Sequence, residues 1–407
     1  MKILMLSPVF PMPLDLGSKI RIFNLLRGLS RGHDVTFVSL TDNRASREQL
    51  AAVRELCSKL FVVPGFKSRR QAVFRFMFSM KPYRVVKFQN KNFKHKIERI
   101  LESESFDLIW VNMLNMLSYV PPTQKKSALL VCDQQNADVR VWQKYSLEGK
   151  VHTRAFAAMN LLKLRCFEKK VLKGVDLVVS VSDEDAGFMR SRLPESGSVW
   201  TVPNGVDTDY FCPGPDGEKE SQNIIVFCGS LDITMNIDAA EGFARNIFPE
   251  VRHDVPDARF WIVGRNPDPR IRALSRMEAI EVFADVPDVR PYLQKAKVSV
   301  APFRFGGGTK LKILEAMASG IPLISTRIGS QGIGATNWQD IVIVDDVRRF
   351  AERVVHVMRH RDIRQKLASN ARRLALEKYS WHVICENLEQ RLSDWADSRK
   401  NAPSSIK

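Results

Sequence analysis

No apolar run in this chain approaches the roughly 20 residues that cross a bilayer as a helix, which argues against an integral membrane protein. The first residues, MKILMLSPVF, are apolar. However, Pro8, Pro11 and Pro13 interrupt the hydrophobic stretch that a signal peptide needs, so a short buried strand is expected instead. Cysteine is sparse and scattered. The six, at positions 57, 132, 166, 212, 228 and 385, form no Cys-x-x-Cys pair, a pattern that fits reduced thiols in a cytoplasmic protein. Short-period repeats and low-complexity tracts are missing too. With 44% hydrophobic and 26% charged residues, the 407-residue chain has the composition of a folded globular protein and the length of two domains.

Negative charge is in short supply in one half only. Residues 1–200 carry 33 Lys and Arg against 18 Asp and Glu, whereas residues 201–407 carry 29 against 27. The densest part, Lys67 to Arg99, holds eleven Lys and Arg with Glu98 as its single acid; Phe74, Phe76, Phe78, Tyr83, Phe88 and Phe93 are interleaved. A half so biased should face something anionic: lipid headgroups, nucleic acid or a phosphorylated substrate. Basic residues mixed with phenylalanine suit a segment lying on an anionic membrane, each cation adding about 1 kcal/mol near the surface. The plainer reading is a solvated helical face with its aromatics in the core. No nucleic-acid-binding motif accompanies the charge, so nucleic acid is not expected as a partner.

Taken in order, the chain alternates short apolar strands with helical segments. Ile3–Leu6 is followed by a proline-rich loop ending at Gly17 and by a helix with Ser18 as its expected N-cap, then by Val35–Leu40. Continuous apolar strands of this kind mark a parallel sheet, and ligands in such sheets sit beyond the strand C-ends. Further strands are expected at Leu60–Val63, Leu108–Val111, Leu129–Cys132 and Leu177–Val181. Lys19 and Arg21 open the first helix, where the dipole disfavours cations unless they reach solvent. The polar run Asp133 to Asp138, which includes Asn136, lies just past a strand end; it can reach a cleft or serve as a loop and helix cap.

Residues 201–217 read as a linker, and the alternation then restarts. Ile224–Cys228 ends at the turn Gly229-Ser230, a helix runs from Ile237 to Phe248, and Phe260–Val263, Ile280–Phe283 and Lys297–Ala301 follow as strands. The expected architecture is α/β, with two parallel-sheet domains, 1–200 and 218–378, facing each other across a central cleft. A C-terminal helix over 379–398 is long enough to reach back to the first domain.

After that last strand comes FRFGGGTKLKILEAMASGIPLISTRIGSQGIG, from Phe303 to Gly334. Gly306, Gly307 and Gly308 let the backbone approach a ligand closely, and the next helix offers open amides and the positive end of its dipole. Lys310 and Lys312 stand in its first turn, each costing roughly 0.3–1 kcal/mol there unless an anion compensates. Lys312 and Glu315 share a face, so one ligand could meet an ammonium and a carboxylate together. The plainer reading is a glycine turn followed by an amphipathic helix with a surface Lys–Glu pair.

Four segments together, VPNGVDTDYF (202–211), the strand ending at Ser182, FCGSLD (227–232) and GGGTKLKILEAMASGIPLIST (306–326), resemble family 4 of the glycosyltransferases, also called group 1. The resemblance covers nearly the whole chain. It implies two Rossmann-like domains in the GT-B arrangement, an acceptor on the first and a nucleotide-diphosphate sugar on the second. It also implies retention of anomeric configuration, with no metal or other cofactor required. Matching positions imply that Glu315 takes the nucleotide ribose. Gly307, Gly308 and Thr309 would meet the sugar or diphosphate, with Arg265, Asp285 and Val286 near the base, and Gly17 and Arg21 would contact the donor phosphate from the other domain.

Three positions depart from the family pattern. Gly307 stands where many members carry a glutamate. Asn236 stands near a common lysine, which Lys310 or Lys312 is expected to replace. Gln135 stands near Asn136, where a histidine is frequent. The expected activity is hexose transfer to a lipid-linked or oligosaccharide acceptor by a protein peripheral to the inner face of the plasma membrane.

Overall fold

The structure is a computed structural model and describes residues 1–42, 45–121, 128–135, 138–148, 151–194, 197–214, 222–306 and 308–400. The chain divides into two units: Met1–Pro203 with Cys385–Lys407, and Asn204–Ile384.

The first unit is built on a parallel sheet of seven strands: β1 (Lys2–Ser7), β2 (Asp34–Thr41), β3 (Lys59–Pro64), β4 (Leu108–Asn112), β5 (Leu129–Gln134), β6 (Leu177–Ser180) and β7 (Ser198–Thr201). Their order across the sheet is β3-β2-β1-β4-β5-β6-β7. Every residue of β4 is buried, as expected where helices cover both faces of a parallel sheet. β7 was not anticipated: its SVWT segment is half-buried throughout and sits at the sheet edge, so it lacks the continuous apolar signal of the inner strands.

The helix after β1 runs Gly17–Leu29 with Leu16 as N-cap and no side-chain cap, so Ser18 lies inside its first turn and not at the cap position expected for it. Lys19 pairs with Asp15 at 3.0 Å. Asp133 belongs to β5 itself rather than to a loop beyond it.

The second unit carries six parallel strands, β8 (Ile224–Cys228), β9 (Arg259–Gly264), β10 (Ile280–Ala284), β11 (Val298–Ala301), β12 (Leu323–Ser325) and β13 (Val342–Ile343), in the order β10-β9-β8-β11-β12-β13. The expected helix over 237–248 is instead two, Thr234–Asn246 and Phe248–Asp254. Pro249, with no N–H to donate, fits only at the start of the second. Residues 204–211, expected as linker, are held within this unit. The Val206 amide donates to the Tyr379 carbonyl at 2.7 Å, and the Arg372 guanidinium donates to the carbonyls of Thr208, Phe211 and Ala318. The closing helix spans Trp381–Lys400.

Candidate functional site

In the second unit the strand order reverses between β8 and β11, and the loops beyond the C-ends of strands flanking such a reversal form a crevice. Four loops meet this end of the sheet: Gly229-Ser230 after β8, Arg265 after β9, Asp285-Val286 after β10, and the glycine stretch after β11. Gly306 and Gly308 have φ of +129° and +71°, a conformation that side-chain-bearing residues rarely adopt. The Leu311–Ala318 helix follows, with Lys310 at its N-cap position and no side-chain cap. Ile313, Leu314, Ala316 and Met317 bury the helix in the core, which fixes where Lys312 and Glu315 stand.

Lys312 Nζ donates to Asn236 Oδ1 at 2.6 Å, and Asn236 Nδ2 donates to the Ser230 carbonyl at 2.7 Å. Arg265 Nε reaches Ser230 Oγ at 3.2 Å. A Cβ on Gly229 would lie 2.6 Å from Lys312 Nζ, so the absence of a side chain there makes room for the ammonium. Thus Lys312, of the two lysines considered, is the one that reaches the turn after β8. Lys310 is buried and bonds the carbonyls of Gly308 and Ile328, at 3.0 and 3.2 Å.

Burial pushes the Lys312 ammonium down to about 8, against the opposing pull of Glu315. Burial also raises the Glu315 carboxyl, with Lys312 opposing. Among the described residues Lys312 acts on the Glu315 carboxylate through its charge, with no hydrogen bond or salt bridge between them, and the buried Thr309 hydroxyl has no hydrogen-bond partner. The cluster therefore offers one shifted ammonium, one unengaged carboxylate and one unengaged hydroxyl on neighbouring turns. Groups perturbed in this way, gathered at a strand-end crevice, make this a candidate ligand site. Asp285, at φ +54°, accepts from the Asn266 amide at 2.6 Å, while Val286 packs against the apolar cluster around Trp261 and Val263.

Phe227 and Phe303 were not singled out from sequence, yet their ring centroids lie 5.3 and 5.0 Å from Lys312 Nζ. They form an apolar, electron-rich floor that shelters the ammonium from water. Phe303 borders the glycine loop, which is the one signal that could have drawn attention to it.

The first-unit candidates are arranged differently. Gly17 is exposed. Arg21 is only 1% exposed and Asp133 is fully buried; expected as separate contacts in a cleft, they form an ion pair. Arg21 Nε bonds both Asp133 oxygens at 3.0 Å, Nη2 bonds Oδ1 at 2.7 Å, and Nη1 bonds the carbonyls of Val202 and Pro203. Asn136 and Gly307 lie outside the described residues. Gln135 is buried, and its Nε2 has no partner among the described residues. All six cysteines are unpaired. Among the described residues no three His, Cys, Asp or Glu side chains gather as a metal site, and no helix is long and apolar enough to cross a membrane.

The family model described as Glycosyltransferase Family 4 matches residues 17–210, and that described as Glycosyl transferases group 1 matches residues 222–360. Among individual proteins, the chain is 21% identical to an uncharacterized 44.6 kDa protein in the cps region of Klebsiella pneumoniae, over 93% of this chain and 96% of that one. It is 24% identical to a GDP-mannose-dependent alpha-(1-6)-phosphatidylinositol monomannoside mannosyltransferase of Mycolicibacterium smegmatis, over 57% and 66%. Among solved structures, it superposes on sucrose-phosphate synthase from Thermosynechococcus elongatus with a TM-score of 0.69 at 16% identity, covering 98% and 99% of the two chains. It also superposes on Anabaena HepE in complex with UDP and glucose with a TM-score of 0.64 at 12% identity, covering 97% and 100%. At these identities the structures speak for the fold, and the fold is GT-B. The family models match in turn most of the first unit and most of the second, and on that ground this chain belongs to glycosyltransferase family 4.

Proposed function

We propose that the protein moves a hexose from a nucleotide-diphosphate sugar to a lipid-linked or polysaccharide acceptor in cell-surface glycan synthesis. In this reading it acts at the inner face of the plasma membrane, with retention of configuration and without a required metal. The observation that carries the reading is the unengaged Glu315 carboxylate beside the sheltered Lys312 ammonium, on the helix that follows the glycine loop. Glu315 suits the paired hydroxyls of a ribose, and Lys312 suits the diphosphate. The named activity of the mycobacterial relative, on a phosphatidylinositol mannoside, supports a lipid-linked acceptor. The UDP complexes of HepE and of Staphylococcus aureus TarM support a nucleoside diphosphate as donor half.

In the transfer, the bond between the anomeric carbon and the diphosphate oxygen breaks, and a bond from that carbon to an acceptor hydroxyl oxygen forms on the same face. The hydroxyl proton passes to the departing phosphate. Negative charge grows on the leaving group, so Lys312 and the amides of Gly308 and Thr309 stabilise the transition state more than the ground state.

Thermal melting in the presence of UDP, GDP, ADP and their sugar conjugates tests this. A ligand at 100 times its dissociation constant stabilises the fold by about 2.7 kcal/mol. One nucleotide series should raise the midpoint, and Glu315→Ala should abolish that rise. If no nucleotide shifts the midpoint and no donor hydrolysis is seen, the transferase reading fails, and the protein is a silent relative acting as a scaffold in polysaccharide assembly.

A further inference from the structure

The Arg69–Met77 helix of the first unit carries two apolar faces, and the fold uses one. Its start is fixed by a capping box in which the Ser68 hydroxyl accepts from the Gln71 amide and the Gln71 side chain accepts from the Ser68 amide. Ala72 and Phe76 point inward and are buried. The Phe76 ring lies 4.8 Å from Phe156 and 6.2 Å from Tyr83, and Lys163 Nζ stands 4.0 Å over it while donating to the Phe76 carbonyl at 2.9 Å. The helix is therefore firmly seated.

Residues 70, 74, 77 and 78 fall on the opposite side by helical spacing. Phe74 is 68% exposed, Met77 53%, Phe78 83% and, just beyond, Met80 89%. The Phe74 and Phe78 rings touch each other, with centroids 5.4 Å apart, and form an outward wedge. Single exposed apolar residues need no explanation, but four large ones within seven positions, two on a well-seated helix and two just past its end, do.

Charge identifies what the wedge meets. No Asp or Glu occurs from residue 56 to residue 97. Arg69, Arg70, Arg75 and Lys81 are exposed around the wedge, and none has an ion-pair partner among the described residues. Lys67 and Lys87 are pushed down by burial first, and Arg75, Lys81, Arg84 and Arg69 push the same way, as expected where cations crowd; of these four, Arg84 pairs with Asp138. A second copy of the chain would bring the same positive charge against this surface. Nucleic acid would use the cations and could stack a base on the phenylalanine pair, but it would leave Met77 and Met80, 53% and 89% exposed, without a role. An anionic bilayer uses both: the phosphates meet the arginines while the wedge enters the boundary between headgroups and acyl chains.

We propose that residues 69–81 are the docking surface for an anionic lipid bilayer, with Phe74, Met77, Phe78 and Met80 entering it. The docking rests on the transferase reading only for its purpose, which is to bring the site to a lipid-linked acceptor.

The test pellets the full chain with sucrose-loaded vesicles of phosphatidylcholine alone or mixed with phosphatidylglycerol. Only the mixed vesicles should carry the protein down. The double variant Phe74→Ser/Phe78→Ser should bind about tenfold more weakly or worse at every salt concentration, because its loss is apolar area. Arg70→Glu/Arg75→Glu should lose binding at low salt, and its difference from the parent should fade as the Debye length falls from about 10 Å at 0.1 M to about 3 Å at 1 M. Circular dichroism of both should match the parent, since all four side chains are exposed.

Equal pelleting with neutral vesicles, parent-like binding by the phenylalanine variant, or displacement by inorganic phosphate would overturn the proposal. So would a preference for a single-stranded oligonucleotide over vesicles, or a dimer that the phenylalanine variant dissociates. Nucleotide-induced melting shifts on the same preparations keep the two readings apart. Vesicle binding without a nucleotide shift removes the transferase and keeps the surface, and a nucleotide shift without vesicle binding does the reverse.

Discussion

Arg21 in the first unit and Lys312 in the second are both sheltered cations near a carboxylate, but only Arg21 has every nitrogen bonded. Its partner Asp133 accepts from it at 2.7–3.0 Å, and the remaining donors go to backbone carbonyls. Lys312 makes one hydrogen bond among the described residues, to Asn236. Its pKa is displaced to about 8, and Glu315 stands unengaged beside it. A saturated ion pair is a fastening, whereas a lysine and a carboxylate that keep bonding capacity in reserve can still take a ligand. Residue type and burial alone would have ranked Arg21 first as a ligand contact; counting donors against acceptors reverses the order.

The comparison breaks most violently in the first unit. Asp133→Ala should strand the Arg21 charge in the interior and cost about 3–5 kcal/mol of stability, read as an earlier urea transition. Nucleotide affinity of the folded fraction should stay at the parent's value. A fall in that affinity would mean that Arg21 serves the donor phosphate after all.

A smaller effect sharpens the second-unit half. If an anion needs the Lys312 ammonium and its free pKa is about 8, only about a tenth of the sites are competent at pH 9, so titration calorimetry should give affinity roughly tenfold weaker there than at pH 7. Lys312→Arg should flatten that profile. The unliganded fold moves the other way across the same window. Its lysine pKa lies below the ordinary 10.5, so the unfolded chain holds more protons between about 8 and 10.5 and stability rises with pH.

The least change is expected from Thr309→Val. Removing a buried hydroxyl with no partner should leave unliganded stability equal to the parent's or raise it by about 1 kcal/mol. Nucleotide affinity should drop about fivefold if that hydroxyl waits for a ligand oxygen. Unchanged affinity would make Thr309 a packing residue only.

The inner strands were legible because a strand buried on both faces is apolar along most of its length, as in LIWV (108–111) of β4 and IIVFC of β8. The edge strands β7 and β13 were not, since an edge frees them from that requirement and β13 is only two residues long. Gly306, Lys312 and Glu315 were legible as a loop and one helix face, since their relation is local. The Arg21–Asp133 pair spans 112 positions and Lys312–Asn236 spans 76, and no spacing rule reaches so far. For the same reason both lysines stayed in contention: only the approach of Lys312 to Gly229 separates it from Lys310.

The first unit is interrupted in sequence, taking Met1–Pro203 and then Cys385–Lys407. The late segment fills places that the early one leaves open. Cys385 sits so close to Gly28 that a Cβ there would lie 2.4 Å from its sulfur, and Trp395 meets Trp200 at 5.8 Å with Arg391 over the same indole. On the ribosome, at about 5–20 residues per second, the stretch from 203 to 385 takes roughly 10–40 s to emerge. For all that time the domain made first must wait with its Gly28 notch unfilled, while the domain made second has its whole sequence and can finish folding first.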